Sequence, residues 1–126
     1  METLLIKQTP QSFKITCEKG QIEIKGCSII NDPKVFFKPL NSWIRIYLKE
    51  PSHQTTINLK IEYIDSASLR VFLEVLQSLE KLIDEGKTIT LNWYYDPKDP
   101  EIFKLGEILS GRLKIPFTFI QNDGLS

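Results

Sequence analysis

Thr55-Thr56-Ile57-Asn58-Leu59-Lys60-Ile61-Glu62-Tyr63-Ile64 alternates Ile57, Leu59, Ile61 and Tyr63 with Asn58, Lys60 and Glu62. Successive strand side chains point to opposite faces, so a period of two predicts a strand with one apolar and one polar face. Lys87 to Tyr94 repeats the pattern, setting Ile89, Leu91 and Trp93 against Thr88, Thr90, Asn92 and Tyr94. Strands covered on both faces read instead as continuous apolar runs. The alternation therefore predicts helices mainly on one face of the sheet, and it argues against a doubly wound nucleotide-binding architecture.

Three helical patterns fit around these strands. From Ala67 to Asp84, Leu69, Phe72, Leu73, Leu76, Leu79 and Ile83 recur at steps of three and four, and Gly86 supplies a stop. Pro33 to Lys49 carries Phe36, Leu40, Trp43, Ile44 and Tyr47 at helical spacing, with Pro39 predicting a kink or a start near that position. Asp99-Pro100 has the form of a cap followed by proline at the first helical position, and Ile102, Leu105, Ile108 and Leu109 form the stripe that follows. Pro116 to Ile120 reads as a last strand, and Asn122 to Ser126 as a tail.

At the N-terminal side, Lys19-Gly20 reads as a two-residue hairpin turn. That register puts Cys17 opposite Ile22 and Ile15 opposite Ile24, while Lys14, Thr16, Glu23 and Lys25 share the other face. Cys27 falls opposite Ser12, so the two cysteines should not meet. The expected order is hairpin, helix, strand, helix, strand, helix, strand, with parallel right-handed β-α-β units in a mixed α/β sheet. With 126 residues the chain has the length of one domain.

Composition narrows the function. Sixteen basic and sixteen acidic residues cancel, so no net field gathers nucleic acid or anionic lipid. The run Met1 to Lys7 is too short for a signal peptide, no stretch has the length of a membrane span, and two reduced thiols suit a reducing compartment; these predict a cytoplasmic protein. The six glycines are dispersed and form no phosphate-binding loop. One histidine, His53, and two cysteines lack metal-ligand spacing, and no nucleophile is paired with a base. The expectation is a binding protein with no cofactor or metal. A small enzyme using Glu62 or His53 is the alternative of another class, and a permanent structural subunit a third.

Glu62 shares the polar strand face with Lys60 and Asn58, either as solvated decoration or as part of a binding surface. In Trp93-Tyr94-Tyr95-Asp96, Trp93 falls on the apolar phase, leaving Tyr94 and Tyr95 as candidate interface anchors. Asp65-Ser66-Ala67-Ser68 joins the polar-faced strand to the strongest helical pattern. Serine and aspartate at a helix start are accounted for by capping alone. Ser66 there also has the properties of a switch. A phosphate would bring roughly −1.5 to −2 charges to the helix N-terminus, where Arg70 could pair with it and Asp65 would oppose it.

Leu59-Lys60-Ile61-Glu62-Tyr63-Ile64-Asp65-Ser66-Ala67-Ser68, with Asn92-Trp93-Tyr94-Tyr95-Asp96 and with Phe36-Phe37-Lys38-Pro39-Leu40 and Trp43, resembles the SiaC family of bacterial regulatory phosphoproteins. The likeness spans nearly the whole chain. It implies a fold like that of anti-sigma-factor antagonists (STAS-like) and a partner-switching role. It also implies a protein kinase and a metal-dependent phosphatase acting at the start of the central helix, and a diguanylate cyclase bound by the unphosphorylated form, linking the switch to cyclic-di-GMP signalling and biofilm formation. By motif match Ser66 takes the phosphoacceptor position, with Ser68 a second candidate and Glu62, Asp65, Arg70, Tyr94 and Tyr95 completing the contact region. The common form of the motif is Asn-Thr-Ser-Ser; here Asp65, Ser66 and Ala67 replace its first three residues. The nearest rival is an anti-sigma-factor antagonist whose partner is an anti-sigma kinase.

Overall fold

A computed structural model of the chain describes residues 1–122. The tail expected from Asn122 onward lies, from residue 123, outside the described residues. One sheet carries six strands in sequential order: β1 (Leu4–Ile6), β2 (Lys14–Glu18), β3 (Gln21–Ser28), β4 (Gln54–Ile64), β5 (Thr88–Tyr95) and β6 (Phe117–Gln121). The pairs β1–β2 and β2–β3 are antiparallel, and β3–β4, β4–β5 and β5–β6 are parallel. Helices α1 (Pro33–Tyr47), α2 (Ser66–Ser78), α3 (Lys81–Asp84) and α4 (Pro100–Arg112) fill the connections.

The hairpin register is the one expected: Cys17 pairs with Ile22 and Ile15 with Ile24, around a turn in which Gly20 takes φ of 87°. Strand β1 went unforeseen. Leu4, Leu5 and Ile6 form one apolar run without alternation, and their strand state comes from pairing with Cys17, Thr16 and Ile15.

Burial follows the predicted period. Ile15, Cys17, Ile22, Ile24, Ile57, Leu59, Ile89, Leu91 and Trp93 are buried, and their polar neighbours in sequence stay partly open. The helices cover the apolar face. There Phe13 beside the hairpin, Phe37 of α1 and Phe72 of α2 form a triangle of rings with centroids 5.8–6.2 Å apart. At the other end of the sheet, Trp93 Nε1 donates to the Ile102 carbonyl of α4 at 3.1 Å. The Gly106 Cα packs so close to that indole that a methyl there would lie 2.5 Å from Trp93 Nε1 and 2.8 Å from the Phe119 ring.

Three helix expectations change. The first helix begins at Pro33, capped by Asp32, and runs through Pro39. Proline removes a bond to the carbonyl four residues back, and both Pro39 and Val35 lie on the exposed side, so the lost bond falls away from the core. The long pattern expected to run to Asp84 is two helices, because the amides of Leu79 and Glu80 bond three residues back, to Leu76 and Gln77. That tighter turn still buries both Leu79 and Leu82. In α4, Leu109 is buried but Ile108, placed on the stripe, is exposed.

The fourth change bears on the site. Lys25 pairs with Lys60 and Gly26 with Ile61, but Cys27 pairs with Tyr63, so the register slips and leaves Glu62 without a partner. One extra residue inverts the faces of everything after it. Tyr63, read as continuing the apolar phase, is 54% exposed, and Ile64 packs against the core in its place.

Candidate functional site

The end of β4 runs directly into α2, and the hydrogen bonds at this junction determine which side chains are displayed. Asp65 holds extended backbone (φ −78°, ψ 169°) and is the N-cap: its Oδ1 accepts from the Ser68 amide at 2.8 Å, and its carbonyl accepts from Leu69. Ser66, expected to cap, is instead the first helical residue. It is exposed, as are Ala67 and Arg70. Ser68, the second phosphoacceptor candidate, is fully buried, and its hydroxyl accepts from Ser28 Oγ at 2.8 Å.

Ser28 was not singled out from the sequence. It follows Ile22, Ile24 and Gly26 on the core-facing phase of β3, and a serine at that phase was the only available signal. Its carbonyl also accepts from the Asp65 amide at 3.0 Å. Ser28 thus holds both ends of the tetrapeptide Asp65 to Ser68.

Glu62, Tyr94 and Tyr95 come together elsewhere, in a cleft of about 400 Å³ where β4 and β5 end beside the start of α4. Lys25 and Lys60 line this cleft together with Glu62, Asp96 and Asp99. Lys60 Nζ lies 5.0 Å from the Tyr94 ring centroid and 3.9 Å from Glu23. Both tyrosines are partly open and line the cleft, Tyr94 beside Lys60 and Tyr95 against Phe103, which it meets edge-on at 4.8 Å. Asp65, Ser66, Ser68 and Arg70 do not line the cleft; β4 joins the two places, with Glu62 in one and Asp65 following its last residue in the other.

Other chemistry is sparse. His53 is exposed in the loop before β4, and among the described residues no group of three or more His, Cys, Asp or Glu is placed to hold a metal. Burial pushes the Cys17 thiol up to about 12, and Cys27 donates to the Pro10 carbonyl. Among the described residues no helix is long and apolar enough to cross a membrane.

The model of the family described as SiaC family regulatory phosphoprotein matches residues 6–122. The chain belongs to the SiaC family. It is similar to an uncharacterised Pseudomonas aeruginosa (strain UCBPP-PA14) protein, 21% identical over 106 residues that cover 84% of each. Its fold matches SiaC of Pseudomonas aeruginosa with a TM-score of 0.87 and 21% identity, over 97% of this chain and all of that one. It also matches, with a TM-score of 0.86 and 20% identity over 94% of this chain and 99% of that one, the structure of the diguanylate cyclase SiaD in complex with its activator SiaC from Pseudomonas aeruginosa. The six-stranded sheet with its N-terminal hairpin is therefore the SiaC fold, and the family is regulatory.

Proposed function

We propose that this SiaC-family chain is a phosphorylation-switched binding protein that docks on and regulates a diguanylate cyclase while Ser66 is unmodified. The observation that carries the reading is the exposure of Ser66 at the first position of α2, between residues that are themselves tied down. First-turn amides lack intrahelical acceptors. Asp65 takes that of Ser68, leaving those of Ser66 and Ala67 for a phosphate on the same turn. The helix dipole favours that charge, and Arg70 lies one turn along. The fold tolerates the phosphate, while a partner seated on the junction would have to desolvate a dianion and is released.

The SiaC of Pseudomonas aeruginosa solved with a cyclase supports the partner class. The cleft suits a polypeptide better than a nucleic acid, because its lining carries two lysines, Lys25 and Lys60, and three carboxylates, Glu62, Asp96 and Asp99. A protein kinase loads Ser66 and a metal-dependent phosphatase clears it, so regulation needs no catalytic group on this chain. The test is a phosphosite map of the protein purified from its host, with pull-downs by Ser66→Ala and Ser66→Asp. Phosphate on Ser66 and a cyclase captured by the alanine variant alone are expected. Equal capture by both variants would sink the switch, and capture of an anti-sigma kinase without a cyclase would replace the partner.

A further inference from the structure

We propose that Ser28 is a latch on the Ser66 site, a positioning residue whose release sets how fast Ser66 is phosphorylated; this rests on Ser66 being the acceptor. Three hydrogen bonds close a ring through the junction. The Asp65 amide donates to the Ser28 carbonyl at 3.0 Å, Ser28 Oγ donates to Ser68 Oγ at 2.8 Å, and the Ser68 amide donates to Asp65 Oδ1 at 2.8 Å. Ser28 and Ser68 are fully buried, so water cannot replace the bond between their hydroxyls without the turn opening. Ser66 and Ala67 are the two residues of this turn left exposed, held at both ends.

Phosphoryl transfer is a demand on position. Ser66 Oγ must approach the γ-phosphorus of ATP to about 3–3.5 Å in line with the leaving oxygen. The new O–P bond forms as the bond to ADP breaks, and the hydroxyl proton passes to a base of the kinase. A serine pinned in the first turn of a helix reaches a recessed active site only by the length of its side chain. Opening the ring frees residues 65–68 to extend, while β3 and the rest of α2 stay in place. Local openings of this kind occur well below the free energy of global unfolding.

The experiment follows the amide exchange of Ser68 and Leu69 in the full-length protein, together with the initial rate of Ser66 phosphorylation by a host extract supplied with Mg-ATP. Ser28→Ala deletes one hydroxyl; Ser28→Ala with Ser68→Ala deletes both, leaves no buried hydroxyl unpaired, and serves if the single variant folds poorly. Exchange at these amides about tenfold faster is expected, with phosphorylation accelerated in step. Faster exchange with unchanged or slower phosphorylation overturns the latch, as does unchanged exchange. Failure of the acceptor assignment looks different: Ser66 then stays unmodified in the unaltered protein as well, and the latch falls with it.

Discussion

Asp65 does two things that pull in opposite directions. Its carboxylate caps α2, and its charge sits beside the hydroxyl proposed to receive a phosphate. Asparagine caps equally well without the charge. Asp65→Asn should therefore keep thermal stability within about 0.5 kcal/mol and speed Ser66 phosphorylation, whereas Asp65→Ala should cost about 1 kcal/mol in denaturant melts. Ser66→Ala, at an exposed position whose hydroxyl has no partner among the described residues, should change stability by less than about 0.5 kcal/mol. Cys17 permits a pH test with a definite sign. Its thiol is held neutral up to about 12 in the fold, against an ordinary value of 9.0, because burial disfavours the thiolate. Its contribution is intact below pH 9 and is lost as pH rises towards 12, since only the unfolded chain then releases the proton. Unfolding free energy should fall by about 1.4 kcal/mol per pH unit in that window from this group, and Cys17→Ala should remove that component of the slope.

Among the elements, α4 shows how sequence pattern and packing divide the work. The Asp99-Pro100 start was legible because capping is a local matter, and Asp99 Oδ1 does accept from the Ile102 amide. What attaches α4 to the sheet was not legible, because Gly106 reads as a weak point in a helix until Trp93 is seen packed against it. Gly106→Ala should raise helix propensity yet destabilise the protein by about 1–3 kcal/mol, read as a lower denaturant midpoint, because the indole and Phe119 must move. The same division explains α2 and α3. An apolar repeat at steps of three and four continues across Leu79, and periodicity has no means of distinguishing an α turn from the tighter turn that seats Leu79 and Leu82 together in the core.

On the scale of the whole molecule, one apolar layer runs from Phe13 and Phe72 to Trp93, beneath helices that leave the other sheet face open. Such a layer should unfold as a unit. Fluorescence of Trp43 in a Trp93→Phe variant, and of Trp93 in a Trp43→Phe variant, should each give the same midpoint as that variant's far-ultraviolet circular dichroism; separated midpoints would show two cooperative units. The amino-acid order by itself determined strands β2 to β6, the hairpin register, the one-faced sheet and the turn, though not the residue, at which α2 begins. Each follows from side chains alternating or repeating along a local backbone. Only the tertiary structure decided that Glu62 is skipped and Tyr63 turned outward, that Ser68 is buried, and that Ser28 grips the junction from 40 residues away. These depend on which strand lies beside which and in what register, and pairing between distant segments leaves no period in either one.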